Sequence, residues 1–344
     1  MSETLVFDAA DRLFADLATP GVVNAAEAGI WPATLWIAVT NAGYLDALGG
    51  DVNLGGLEDA AAVLRAAGRH AAPLPIADTM LARWLLRLAR LEPPEGSLAL
   101  VVETPELRVD LARAREGWHL ACEVSAVPWV RFAEASVFVR GDQVALAQRS
   151  EFVAEDGRNL AGEPAGAISV DRDIPAAAVG TLPAGANAVT AFRLGALLRA
   201  VEMAGALEAA LQLAVTYAND RVQFGRPIGK FQAIQQQLAL AAEQVAAAGV
   251  ASAAGVARAI DGDLAFAAAA AKLRAGEAAG KVADIVHQVH GAIGFTHEHR
   301  LHHLTRRLWS WRDEFGHEAY WAMELGRLAV AQGADGLWPF LAAR

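Results

Sequence analysis

The sequence predicts an α+β fold that is mostly α, in three parts: an N-terminal helical domain (residues 1–95), a small middle β domain (96–185) and a C-terminal helical bundle (186–344). Three observations predict it. Apolar residues recur at helical spacing near both ends of the chain. From about Ser97 to Pro183 that spacing gives way to short β-branched runs bounded by Gly, Pro or Asp. Beyond Ala188 the helical period returns and persists for lengths that suit a bundle.

Each element has its own pattern. Phe7, Leu13, Phe14 and Leu17 mark a first amphipathic helix, Trp31 to Leu48 a second and Leu57 to Ala67 a third, with Gly49-Gly50 and Gly55-Gly56 as breaks. A fourth, Ile76 to Leu91, comes after Pro73-Leu74-Pro75 and stops before Pro93-Pro94. LALVVE, WHLACEVSAV, ASVFVRG, QVALAQ and GAISV read as strands of a small antiparallel sheet, and AEDGRNLAGEPAG is too polar and Gly-rich for core. Leu194, Leu197, Leu198, Val201, Ala204, Leu211 and Val215 keep one helical face up to Tyr217. Ile234, Leu238, Ala241, Val245 and Ala248 resume it, and Asp263 is placed to cap a further helix running to His290. Four long antiparallel helices are expected.

Composition narrows the function classes. A formal charge of −10 argues against general nucleic-acid binding, which needs a cationic surplus to neutralise phosphates. With 54% hydrophobic residues, 20% charged and no uninterrupted apolar run of membrane-spanning length, a soluble globular protein is expected. The start, MSETLVFDAADRLF, lacks the basic and apolar regions of a secretory signal, and the single cysteine, Cys122, suits a reducing cytoplasm. Only Lys230, Lys272 and Lys281 are lysines, so 26 of the 29 cationic residues are arginine. There is no GxSxG elbow, P-loop or GxGxxG, which leaves hydrolase and nucleotide-kinase readings without residues.

Three clusters carry candidate chemistry. In YANDRVQFGRPIGKFQAIQQQ (217–237) a helix ends, Gly225 and Pro227 make a turn and a second helix begins; Arg221 and the amides of Gln223 and Gln232 leave one corner, which suits a phosphate-bearing ligand. The same arginine also fits a cap on the helix dipole. In QVHGAIGFTHEHRLHH (288–303), Gly291 and Gly294 end a helix and open the backbone, while His299 and His303 are an i, i+4 pair with His297 and His302 nearby. No acidic or cysteine ligand is clearly placed to complete a site with those histidines, so no metal is expected. In RRLWSWRDEFG (306–316), Asp313 and Glu314 are candidate general bases or, with Arg306, Arg307 and Arg312, a solvated salt-bridge face.

The order of domains, together with Tyr217, Arg221, Phe224-Gly225, Pro227, Phe231-Gln232 and Gln235, resembles the acyl-CoA dehydrogenase family. QVHGAIGF looks like the family's Q-x-x-G-G-x-G-F/Y segment with Ala292 in place of the second Gly, and GYLDALGG and RAAGRHAAPLPIAD look like its N-terminal domain. The resemblance implies α,β-dehydrogenation of an acyl-CoA: a carboxylate takes the α proton and the β hydrogen leaves as hydride to FAD. It also implies that Arg221, Gln223, Phe224 and Gln232, with Gln288, Val289, His290, Gly291 and Ala292, meet the adenosine and diphosphate of an FAD whose flavin lies in a partner subunit.

The sequence departs from the family where the reaction takes place. Ungapped alignment on Gln288 puts Phe315 at the position of the catalytic Glu, with Glu314 one residue early; an alternative base position falls at Gly195. One residue on a helix turns a side chain by about 100°. The T-E-P-x-x-G-S-D loop and W-I-T/S strand are missing, and VSAVPWVRFAE keeps only the later part of that region. The chain is therefore similar to the short subunit of heteromeric α2β2 acyl-CoA dehydrogenases of bacterial steroid side-chain degradation. That likeness implies a longer homologous partner subunit, an acyl-CoA substrate and an electron-transfer flavoprotein as acceptor; from charge and composition, no nucleic-acid or membrane partner is expected. Alternatives are a self-sufficient dehydrogenase with Glu314 as base and a cofactor-free structural subunit.

Overall fold

The computed structural model describes residues 5–342. Helices α1 (Leu5–Leu17), α2 (Pro20–Glu27), α3 (Ala33–Asn41), α4 (Leu57–Arg69) and α5 (Ile76–Leu88) come first. Next in the chain are strands β1 (Leu98–Val102), β2 (Asp110–Ala114), β3 (Gly117–Pro128), β4 (Ala135–Arg140), β5 (Gln143–Gln148), β6 (Val153–Ala154), β7 (Ala165–Ile174) and β8 (Val179–Thr181). Then come α6 (Ala188–Asp220), a hairpin of β9 (Val222–Gln223) and β10 (Arg226–Pro227), α7 (Gln232–Ile260), α8 (Leu264–His290), α9 (Leu301–Trp311), α10 (Glu318–Val330) and α11 (Gly333–Ala342). The chain packs as two units, one taking residues up to Asp16, Ala61–Ala72 and Ala196 onward, the other Leu17–Ala60 and Pro73–Gly195. Residues of the N-terminal helical segment therefore fall in both units.

In the unit that holds β1 to β8, the expected single antiparallel sheet is two four-stranded sheets, ordered β1-β4-β5-β8 and β2-β3-β7-β6, and β1 pairs with β4 in parallel. Alternation explains the second sheet: Trp118, Leu120 and Cys122 on β3 turn inward with Ile168 and Val170 of β7, and meet Val101, Phe138 and Ala145 of the first sheet in one core. β4 is buried at Ala135, Ser136, Val137, Phe138 and Val139 alike because its other face is also covered. There Thr79 on α5 accepts the amide of Leu98 at 3.1 Å. β2, β6 and β8 carry little sequence signal, since β2 mixes charged residues with Ala and β6 and β8 are only two and three residues long. The stretch expected to be too polar for core is buried from Ala161 to Gly166. Asn159 makes this possible by bonding both the amide and the carboxylate of Glu163. The second expected helix, Trp31 to Leu48, stops at Asn41, where Gly43 turns left-handed (φ 74°). α2 is started by Thr19, which accepts from Val22 N, and by Pro20 in the first turn.

The other unit is built on three long helices, α6, α7 and α8, of 33, 29 and 27 residues. The rest of the chain beyond α8 is divided among α9, α10 and α11 instead of forming a fourth long helix. The predicted single apolar face of α6 is an understatement, since every residue from Leu194 to Leu207 is buried. Asp263 occupies the position before α8 without making the side-chain cap expected of it. α7 has the length and apolar composition to cross a membrane, as helices of globular bundles also do, and it packs along α8.

α4 and α6 approach so closely at Gly68 and Gly205 that a Cβ on Gly68 would lie 1.9 Å from the Glu202 carbonyl oxygen, and one on Gly205 2.0 Å from that of Arg65. Both obstacles are backbone. Gly205→Ala should therefore lower stability by about 1–3 kcal/mol in thermal unfolding, overriding the gain of about 1 kcal/mol that alanine brings to a helix. A higher melting temperature would show that the two backbones do not touch.

Candidate functional site

The joint between α6 and α7 is a β-hairpin and not the simple helix-turn-helix expected. Gln223 pairs with Arg226 and Val222 with Pro227, and Ile228 N donates to Arg221 O at 2.8 Å. Phe224 (φ 51°) and Gly225 (φ 77°) form the two-residue loop, both left-handed as a type I′ turn requires. Phenylalanine is an unusual residue for that conformation, and its side chain is 92% exposed. The Arg221 side chain is exposed and, among the described residues, makes no ion pair or hydrogen bond, so no carboxylate competes for its charge directly after α6. Gln223 folds its amide back onto Val222 O at 2.9 Å, which spends one of the two amides assigned to a ligand. Gln232 is exposed at the start of α7.

The second segment belongs to the same end of the bundle. Tyr217, one turn before Arg221, stacks on His290 with ring centroids 4.6 Å apart, and His290 in turn meets His299 at 4.6 Å. Gln288, Gly291 and Ala292 are exposed, whereas Val289 and His290 turn into the bundle. Any ligand contact from those two therefore passes through the backbone. Gly291 ends α8 with φ 61° and leaves open space where a side chain would stand.

His290 Nδ1 donates to Val286 O at 2.7 Å, which fixes its tautomer, and burial holds its pKa below the ordinary value. His287 Nε2 donates to Thr305 Oγ1 at 2.9 Å, because that hydroxyl spends its own proton on Leu301 O. Burial, and after it the neighbouring His290, lowers its pKa as well. The i, i+4 pair His299 and His303 is diverted: His299 Nδ1 accepts from Leu301 N, and burial with surrounding cations pushes His303 down to about 3. These imidazoles are neutral at neutral pH.

The sequence allows a solvated face for the third cluster, and the structure corrects this. Arg307 is fully buried, and Glu314 pairs at 2.8 Å with Arg199, itself 4% exposed and paired with Glu202. Lys272, 1% exposed, donates from Nζ to Arg312 O and Gly316 O, both at 2.8 Å. Trp321 Nε1 donates to Phe315 O at 3.0 Å, and Phe315 (φ 53°) and Gly316 (φ 89°) are both left-handed. The loop is thus pinned at both ends, with Glu314 held as the counter-ion of a buried guanidinium.

Sequence reading passes over two features. Arg226 shares the hairpin with Arg221, a pairing that strands of two residues leave without a sequence pattern. In the strand-bearing unit, Trp31 gathers Trp36 (5.3 Å), Phe132 (5.2 Å) and Trp129 (6.0 Å), the last in a left-handed conformation after the bulge between Val124 and Val127. Trp31 and Trp36 are near neighbours in sequence, as are Trp129 and Phe132, but the two pairs are distant from each other and no local spacing marks their meeting.

A family model described as acyl-CoA dehydrogenase, C-terminal domain, matches residues 185–318. Acyl-CoA dehydrogenase IpdE2 of Mycolicibacterium smegmatis is 30% identical over 255 residues, covering 72% of this chain and 71% of that protein. IpdE2 of Mycobacterium tuberculosis is 43% identical over 117 residues, about a third of each chain. The fold matches the ChsE4-ChsE5 complex of Mycobacterium tuberculosis with TM-score 0.84 at 23% identity, over 95% of this chain and 98% of that one. It matches the Tcur3481-Tcur3483 steroid ACAD with TM-score 0.83 at 24% identity, over 96% and 98%. The chain belongs to the acyl-CoA dehydrogenase family, which supports an oxidoreductase acting on an acyl-CoA.

Proposed function

We propose that this chain is one subunit of an FAD-dependent acyl-CoA dehydrogenase carrying out α,β-dehydrogenation of an acyl-CoA thioester, and that it completes the FAD site of a longer homologous subunit. The observation that carries this is an asymmetry. The end of the bundle suited to adenosine and diphosphate is open, with Arg221 unpaired among the described residues and Gln232, Gln288, Gly291 and Ala292 exposed. The loop where a base would stand is closed, with Glu314 committed to Arg199. An exposed guanidinium without a carboxylate partner among the described residues matches a diphosphate in chemistry. FAD, when bound, supplies the hydride acceptor. The residues of this chain hold its anionic and adenosine portions, while the partner supplies the flavin pocket and the carboxylate that takes the α proton. A bulky, steroid-like acyl group is supported by the likeness in fold to the steroid ACAD named above, an electron-transfer flavoprotein is the proposed acceptor, and the cytoplasm is the proposed compartment.

Co-expression with the longer homologue tests this. The complex should be yellow and active, this chain alone colourless and inactive. Arg221→Ala should reduce FAD affinity of the complex about tenfold through loss of a charge-assisted bond. Glu314→Gln should leave turnover within about threefold, since loss of a general base removes about 10²–10⁴. Activity from this chain alone, abolished by Glu314→Gln, would establish the self-sufficient enzyme instead.

A further inference from the structure

The hairpin carries more positive charge than one arginine. Its pairing places Gln223 opposite Arg226, and the Ile228 N to Arg221 O bond extends the ladder by one position. Side chains alternate across a ladder, so Arg221, Gln223, Arg226 and Ile228 share one face while Val222 and Pro227 share the other. Arg221 and Arg226 are diagonal neighbours on that face, a relation of roughly 7–8 Å that long side chains easily bridge. Both are exposed, and neither has an acidic partner among the described residues. Several other arginines of this acidic chain do have carboxylate partners, as in Arg65 with Glu208, Arg83 and Arg87 with Asp46, and Arg312 with Glu318. The Arg226 guanidinium instead lies over the Phe231 ring, 4.2 Å from its centroid, and that ring is braced edge-on by Phe224 at 6.1 Å. Two like charges kept side by side without a counter-ion repel each other, and a ligand with two adjacent negative groups removes that repulsion.

We propose that Arg226 is a second anion-binding residue of this chain, and that with Arg221 it makes a two-guanidinium face that takes the diphosphate of a nucleotide ester. The assignment of that diphosphate to FAD rests on the function proposed above; coenzyme A carries the same group. Lys230 lies beyond the ladder and contributes only a nearby point charge.

The test uses the full chain at low ionic strength, titrated with inorganic pyrophosphate by calorimetry, beside Arg221→Ala, Arg226→Ala and Lys230→Ala. All three side chains are exposed, so the variants keep the fold. Arg221→Ala and Arg226→Ala should each weaken binding about tenfold, and Lys230→Ala less than about threefold, since a planar fork makes bonds that a point charge does not. Unchanged affinity in Arg226→Ala, or an equal loss in Lys230→Ala, overturns the proposal, the second outcome showing diffuse attraction only. Competition then separates the sources. FAD displacing pyrophosphate while coenzyme A does not supports both the face and the FAD reading. The reverse keeps the two-arginine face and removes FAD as its ligand.

Discussion

Replacing Lys272 by alanine should destabilise the bundle by about 3–5 kcal/mol, read from urea unfolding of the purified chain. The side chain is 1% exposed, so its removal leaves a cavity, and it withdraws the amine bonded to Arg312 O and Gly316 O. Lys272→Met isolates the polar part: the stem volume is kept, the two donors are lost, and the expected cost falls to about 1–3 kcal/mol. The pH dependence is specific to this residue. Burial, partly opposed by Glu314 and reinforced by Arg199, lowers its pKa from 10.5 to about 7. Between those values the unfolded chain holds a proton that the folded chain does not. This residue's contribution to stability is therefore complete above about pH 10.5, falls by up to roughly 1.4 kcal/mol per unit as pH drops, and falls no further below about pH 7. A neutral amine still has two N–H groups for the two carbonyls. Lys272→Met should flatten this slope, and an unchanged slope would show that Lys272 is protonated throughout.

Replacing Arg199 by methionine should cost a comparable amount, about 3–5 kcal/mol, because it strips the shared cation from two carboxylates held away from water. The side chains of Arg199, Glu202 and Glu314 are 5%, 3% and 18% exposed, so screening by solvent is slight. Adding Glu314→Gln to Arg199→Met should recover part of the loss, whereas Glu314→Gln alone should destabilise. Such a sign change between backgrounds is the mark of a coupled pair, and melting curves of the four proteins measure it. Additive effects would release Glu314 from the role of counter-ion and restore it as a candidate base.

Much of the site is readable in the sequence, to different depths. The interruption of the helices around Gly225 and the exposure of Arg221 come from local chemistry and appear as expected, as do the end of α8 at His290 and the open glycine after it, although α6 already ends at Asp220. The hairpin is not readable as such, because its strands are two residues each and its loop carries Phe224 where Asn or Asp would announce the turn. Glu314 illustrates the deeper limit. Its neighbours in sequence, Arg306, Arg307 and Arg312, suggest its partner, yet its partner is Arg199, more than a hundred residues earlier on a helix whose burial hides the charge.

Periodicity, turn residues and a handful of spaced polar side chains were enough for the sequence to determine the order of helical, strand-bearing and helical segments and the family they point to, since those signals act over a few residues. Only the tertiary structure decided which charges are spent and which are available. Whether an arginine meets a carboxylate depends on what packs against it from remote parts of the chain. Here that packing consumes Arg199 and Glu314 and leaves Arg221 and Arg226 unpaired among the described residues.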